Sequence, residues 1–133
     1  MDKEIIPFTA DLGTEVAFSN AVKVRKAKLD SLIFVSGQVA TDETGKLVGK
    51  GDMKAQTRQA IENVKTALAK LGATLDDVVK VTIFVTDMTD FKGIHEVRRQ
   101  YFKKGSYPAS TLVQVSRLVR EDLLIEIEAI AAV

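Results

Sequence analysis

The C-terminal stretch Tyr107–Val133 constrains the fold most strongly, because it holds two alternating segments joined by a charged turn. Pro108 opens the stretch and has no amide hydrogen, so it is expected at the start of a strand or on a sheet edge. One face of the last segment is entirely apolar: Leu123, Ile125, Ile127 and Ala129. The other face is half apolar and half acidic: Leu124, Glu126, Glu128 and Ile130. We therefore predict two strands here, with the acidic face of the second partly covered.

Composition limits the possible functions. At 133 residues the chain is expected to form one domain spanning residues 1–133. The formal net charge of +1 gives no basic excess for tracking phosphates, so nucleic-acid binding is not expected. The absence of cysteine and the presence of a single histidine, His95, leave no thiolate or histidine-cluster metal site, and we predict no cofactor. No apolar run near the N-terminus is long enough for a signal peptide or a membrane span, which favours a cytoplasmic protein.

Hydrophobic periodicity predicts six strands and two helices in the order β-β-β-α-β-α-β-β. Residues 5–10 are predicted to form an N-terminal arm or an edge strand. Ala17–Val24 and Leu29–Val35 are predicted to form a hairpin. Its second strand is expected in the centre of the sheet, because both faces of that strand are apolar. Helical spacing follows Asp52, and again from Phe91 to Lys104. Between the helices, residues 78–86 are β-branched almost throughout. The predicted fold is an α/β (α+β) two-layer sandwich, a six-stranded mixed sheet with both helices on one face.

The connection Asp42–Gly51 carries glycines and a lysine that raise the question of a phosphate-binding loop. Such a loop needs four residues between its glycines and a serine or threonine after its lysine. Here three residues separate Gly45 from Gly49, and Gly51 follows Lys50. We interpret the segment as an ordinary loop.

Six segments, in order, resemble the Rid (YjgF) family of reactive-intermediate deaminases, which has also been described as an endoribonuclease family. They are F-S-N-A-V from Phe18, V-S-G-Q from Val35, I-E-N-V-K-T-A-L from Ile61, V-V-K-V-T-I-F-V-T-D-M-T-D-F from Val78, P-A-S from Pro108 and I-E-I-E-A-I-A from Ile125. The resemblance implies a chorismate-mutase-like fold. It also implies a homotrimer in which sheet faces form a central barrel and small molecules bind in clefts between subunits.

The resemblance further implies a hydrolytic reaction, in which water attacks the C=N bond of an imine or enamine and ammonia is released. It assigns the catalytic, water-ordering carboxylate to Glu126. It places substrate-binding positions at Phe18, Ser36, Gly37, Gln38, His95, Ser110 and Thr111. Three of these depart from the deaminating members: Phe18 stands in place of a tyrosine, His95 of an asparagine and Ser110 of an arginine.

The replacement at Ser110 bears most directly on the substrate. A bidentate arginine contact to a carboxylate combines charged hydrogen bonds of roughly 1.5–3 kcal/mol each. A serine donates one neutral hydrogen bond, so we expect carboxylate recognition through this position to fall by about two or more powers of ten. The chain therefore resembles the arginine-lacking members of the family.

Other interpretations of the same residues remain open. Glu126 could pair with a basic residue across a subunit interface, and Glu128 could belong to a structural ion pair or network. Arg117 could pair with either of them or supply the missing positive charge. His95, at the margin of the helix stripe, could be a surface or interface residue, or it could transfer protons near neutral pH. Arg98 and Arg99 are interpreted as a solvated helix face. The alternative to a hydrolase is a non-catalytic member that binds a metabolite or a regulatory partner, and an endoribonuclease is the third candidate.

Overall fold

The computed structural model describes residues 3–133 and contains one six-stranded sheet with the strand order β1-β2-β5-β4-β6-β3. The strands are β1 (Lys3–Pro7), β2 (Ser19–Val24), β3 (Leu32–Val39), β4 (Val78–Val85), β5 (Ala109–Gln114) and β6 (Ile125–Ala132). The helices are α1 (Met53–Ala69) and α2 (Phe91–Tyr101). Strand β5 runs parallel to β2 and β4, while the β1–β2, β3–β6 and β4–β6 pairs are antiparallel. The predicted element order and mixed sheet are confirmed.

Both helices cover one face of the sheet and enclose the core. The Asp52 side chain accepts a hydrogen bond from the amide of Ala55 at the start of α1, and Asp90 caps α2 in the same way through Gly93. Apolar side chains from both helices meet the alternate residues of β4 and β6, including Ile61, Leu68, Ile83, Ile94 and Ile125. The two-layer α+β architecture follows from this single covered face.

The predicted hairpin between the second and third strands is wrong. Strand β2 pairs with β1 and β5, whereas β3 pairs with β6 at the opposite edge of the sheet. Alternation identifies a strand but does not specify its partner, and the two segments are separated in space by the rest of the sheet. Strand β3 is an edge strand, so its predicted central position is wrong. Its second face is open, with Phe34 71% exposed and Leu32 50% exposed.

The C-terminal stretch also differs from its prediction. Strand β5 ends at Gln114, and β4 lies between β5 and β6, so the two C-terminal strands are not neighbours. Arg117 falls in the connecting loop, where its Nε donates to the carbonyl of Leu118 at 3.1 Å. Within residues 3–133, Arg117 forms no salt bridge with Glu126 or Glu128. That predicted ion pair is wrong.

The alternation of β4 is interrupted at its first residues. Val78 pairs with Ala131 and Lys80 with Ile130, so one extra residue interrupts the ladder. This irregularity buries Val78 completely and leaves Val79, which regular alternation would place in the core, only half-buried.

Within residues 3–133, neither helix combines the length and the apolar character needed to cross a bilayer.

Candidate functional site

The predicted site residues fall into two groups on opposite faces of the sheet. Ser110 pairs with Val81, whose buried side chain marks the helix-covered face. Glu126 pairs with Phe84 and lies on the open face, half-buried. A single chain therefore does not bring Ser110 and Glu126 into one cavity.

A small cavity lies on the helix-covered side, between α2, β5 and the segment that precedes β2. Its volume is about 270 Å³. It is lined by Leu12, Phe18, Met88, Phe91, His95, Arg98, Ser110 and Leu112. We call it the α2–β5 pocket. Three of the predicted substrate-binding residues, Phe18, His95 and Ser110, meet in it, and Phe18 both packs against Phe8 and forms part of the wall.

His95 is a buried residue of this pocket. Its side chain is fully buried, and its ring packs edge-on against Phe91 with centroids 4.5 Å apart. Burial, followed by the nearby charges of Arg98 and Arg99, lowers the pKa of His95 to about 3. The imidazole is therefore neutral near pH 7. The surface interpretation of His95 is wrong, and a residue with this pKa is not suited to proton transfer near neutral pH.

The tautomer of His95 follows from its one hydrogen bond. The backbone amide of Ala17 donates to Nδ1 at 3.2 Å, so the proton of the neutral ring resides on Nε2. Nε2 is buried and has no hydrogen-bond partner within residues 3–133. His95, a lining residue of the α2–β5 pocket, thus retains an unused buried donor.

This burial predicts a pH dependence of stability. Because the folded-state pKa of about 3 lies below the ordinary value of 6.5, only the unfolded chain binds a proton at His95 between these values. The residue should lower the free energy of unfolding as pH falls through this window, by up to about 1.4 kcal/mol per pH unit, and contribute nothing above it. Urea unfolding at several pH values should show a shallower dependence in His95→Asn, whose side-chain oxygen can still accept from Ala17. Parallel curves for the two proteins would contradict the buried neutral imidazole.

Arg98 is the functional candidate that sequence reasoning missed. It is 1% exposed, so its interpretation as a solvated residue is wrong. Its Nη2 donates to the carbonyl of Ala17 at 3.2 Å, while Nε and Nη1 are buried without a partner in the described chain. Burial lowers the pKa of Arg98 to about 10, which leaves the guanidinium charged at neutral pH. The pattern that could have found it is the spacing of Phe91, His95 and Arg98, which share one helical face at i, i+4 and i+7.

The neighbouring arginine behaves as predicted for an outer helix position. Arg99 is only half-buried, and its Nη1 donates to the backbone carbonyl of Glu15. Arg98 and Arg99 therefore differ in environment although they are adjacent in the sequence.

The second group lies on the open face, around an irregularity in β3. Val35 pairs with Ala129 and Gln38 pairs with Ile127. Two residues of β3, Ser36 and Gly37, therefore lie opposite the single residue Glu128 of β6, which is the arrangement of a β-bulge. A Cβ added at Gly37 would lie 2.6 Å from Cδ of Glu126. Only glycine leaves space for that carboxylate to lie against the β3 backbone.

The remaining predicted residues surround this irregularity or lie further along the open face. Ser36 lines a shallow depression with Lys80 and Glu128. Gln38 Nε2 donates to the carbonyl of Ser36 at 3.0 Å. Thr111 accepts a hydrogen bond from Lys80 Nζ at 2.9 Å and therefore does not share the pocket of its neighbour Ser110.

Neither acidic residue of β6 has an ion pair within its own chain in the described residues, and a pair of Glu126 across a subunit interface stays a prediction. Glu126 and Glu128 form no salt bridge to any residue between 3 and 133. The ion pairs found there connect other side chains, such as Lys54 with Glu96 and Lys103 with Asp76. The same range contains no cluster of three or more histidine or acidic side chains arranged to hold a metal ion.

Comparison with known proteins places this architecture in a family. The family model described as Endoribonuclease L-PSP matches residues 8–133. A RutC family protein of Pyrococcus abyssi is 47% identical over 133 residues, covering 98% of each chain. The 2-iminobutanoate/2-iminopropanoate deaminase of Salmonella typhimurium is 38% identical over 110 residues, covering 81% of this chain and 84% of that protein. The crystal structure of YyfB, a Rid-family protein of Yersinia pestis, superposes with a TM-score of 0.85 over 100% of both chains at 29% identity.

The mixed sheet with two helices on one face is thus an α+β fold of the kind found in Rid proteins. The chain belongs to the Rid (YjgF) family, the family of the Endoribonuclease L-PSP model. The resemblance inferred from the six sequence motifs is confirmed.

Proposed function

We propose that this protein is a hydrolase that deaminates a small imine or enamine in a cleft between subunits. The observation that carries the proposal is the contact of Gly37 with Glu126. The half-buried carboxylate of Glu126 has no ion pair in residues 3–133, and it lies against the β3 backbone at Gly37, a position without a side chain. The existence of a deaminase among the relatives supports this chemistry.

In the proposed reaction, Glu126 orients a water molecule and accepts one of its protons. The water oxygen bonds to the carbon of the C=N group, and the nitrogen gains a proton. The remaining proton of the attacking water then passes through Glu126 to the nitrogen, the carbon–nitrogen bond breaks as the oxygen forms the carbonyl, and the nitrogen leaves as ammonia. A positioned carboxylate acting in this way typically contributes a rate factor of about 100 to 10,000.

The division of the site between two sheet faces supports a shared cleft. The open face of one copy, with Glu126 and Gly37, would meet the α2–β5 pocket of another. Exposed apolar residues on that face, including Phe34 and Val113, would be covered by the same association. A closed homotrimer, with the same contact repeated around a ring, satisfies both requirements.

The test of the proposed function is the release of ammonia from 2-iminobutanoate generated in the assay. We expect the rate to rise above the spontaneous hydrolysis in proportion to the concentration of this protein. If the rate stays at the spontaneous value while 2-oxobutanoate still binds, the protein is a metabolite-binding member of the family instead of an enzyme.

A further inference from the structure

The α2–β5 pocket contains more hydrogen-bond donors than its own residues can satisfy. Nε and Nη1 of Arg98 and Nε2 of His95 are buried without partners in the described chain. Ser110, whose side chain carries a hydroxyl, also lines the pocket. None of the lining side chains is a carboxylate or an amide. The pocket thus lacks a strong side-chain acceptor for its donors.

The energetics of Arg98 are unusual for a purely structural residue. Removing an ion from water costs several kcal/mol even after relaxation, unless a counter-charge or a full set of hydrogen bonds compensates. The guanidinium of Arg98 has five N–H donors, and the only hydrogen bond it makes within residues 3–133 is the one to Ala17. A ligand that supplies negative charge and several acceptor oxygens would satisfy the remaining donors.

We propose that Arg98 is the cation of a carboxylate-binding site in the α2–β5 pocket, and that it replaces from helix α2 the arginine that is absent at Ser110. The ligand class is a small monocarboxylate with an apolar tail. The carboxylate oxygens accept from Arg98, from Nε2 of His95 and from Ser110, while Phe18, Phe91 and Leu112 contact the tail. A volume of about 270 Å³ suits a ligand of only a few carbon atoms.

This inference rests on the proposed function. If Arg98 binds carboxylates, imines that carry a carboxylate are expected substrates of the proposed hydrolase even though position 110 is a serine. The inference differs from the expectation drawn from the sequence, in which the serine at position 110 weakens carboxylate recognition and only Arg117 was considered as a replacement for the missing charge. The neutral state of His95 matters here, because a neutral ring donates from Nε2 without adding a second positive charge beside Arg98.

The experiment compares the binding of propionate with that of propionamide, a neutral molecule of nearly the same shape, to the full-length protein. Titrations are followed through the arginine Nε–Hε resonances in ¹H–¹⁵N NMR spectra, and Arg98→Met identifies the Arg98 signal. We expect propionate to shift this signal and to bind at least tenfold more tightly than propionamide. Arg98→Met should abolish the preference, Ser110→Ala should weaken propionate binding several-fold, and Arg99→Met, the matched control, should bind as the wild type does.

Equal affinities for propionate and propionamide, or a preference retained in Arg98→Met, would overturn the proposal. If Arg98→Met does not fold, Arg98→Lys and the wild-type Arg98 resonance decide the matter: an unshifted resonance with saturating propionate is evidence against the site. Because binding is measured without turnover, the two proposals can fail separately. Tight carboxylate binding without ammonia release would contradict the hydrolase, and ammonia release without a role for Arg98 would contradict only the cation assignment.

Discussion

Glu126→Gln is expected to lower kcat for imine hydrolysis by at least about 100-fold, because the amide cannot accept the proton of the attacking water. Its effect on stability should be small, since Glu126 is only half-buried and forms no ion pair within residues 3–133. The measurement is the steady-state rate of ammonia release together with the thermal unfolding midpoint of the same preparation.

Glu128→Gln is the matched control, because Glu128 lies on the same face of the same strand but is exposed. It should retain wild-type activity. Gly37→Ala should reduce activity, because the added Cβ would displace the Glu126 carboxylate. The backbone itself should accept alanine, since φ at Gly37 is not in the left-handed region. Equal activities of Glu126→Gln and the wild type would exclude Glu126 as the water-ordering residue.

Gln56→Leu is expected to lower the free energy of unfolding by about 3 kcal/mol or more, the largest stability effect that we predict for a single polar side chain. Gln56 is fully buried in α1. Its Nε2 donates to the carbonyls of Gly49, at 3.1 Å, and Asp122, at 2.9 Å, and its Oε1 accepts from the amide of Leu124 at 2.8 Å. Leucine has a similar volume but leaves these three backbone groups without this partner, each at a cost of about 1–3 kcal/mol.

Urea unfolding followed by circular dichroism measures this loss, with Gln100→Leu as the control. Gln100 is exposed on α2, and within residues 3–133 its side chain makes one hydrogen bond, which it accepts from Arg58. Its replacement should therefore change stability by less than about 0.5 kcal/mol. Similar losses for the two variants would show that Gln56 does not hold the start of β6 against α1. Because β6 begins one residue after Leu124, Gln56→Leu should also disturb the position of Glu126.

Local patterns predicted the elements of this fold well and their partners poorly. The period of the apolar residues identified α1, α2 and the buried faces of β4 and β6, because each pattern depends only on neighbouring residues. The false hairpin of β2 with β3, and the false ion pair of Arg117 with Glu126 or Glu128, both concern contacts made across the sheet. Pairing of this kind depends on the whole topology, which no single segment encodes.

The candidate site shows the same division. The family motifs identified Glu126, Gly37, Phe18, His95 and Ser110 as candidate residues of one cleft. In the structure Gly37 lies against Glu126, whereas Phe18, His95 and Ser110 line the α2–β5 pocket, and the motifs did not predict this separation. Arg98 was missed because both Arg98 and Arg99 were assumed to face solvent. Its helical position four residues before Phe102 and four after Ile94, both buried, was the available indication that it faces inward.

The central claim is that the two half-sites, which lie on opposite faces of one chain, combine between two copies. Ser110→Phe should fill the α2–β5 pocket, Glu126→Gln should remove the water-ordering group, and each variant alone should be inactive. Co-expressed in equal amounts with different tags and purified as mixed trimers, they should recover about a third of wild-type ammonia release, since one of the three sites in a mixed trimer of either composition joins the two unaltered halves. A chain that carries both substitutions, co-expressed with itself, is the negative control. The shared site would be contradicted if the wild type is active but the mixed assemblies of the two variants recover no activity. It would also be contradicted if light scattering shows that the active wild type is a monomer.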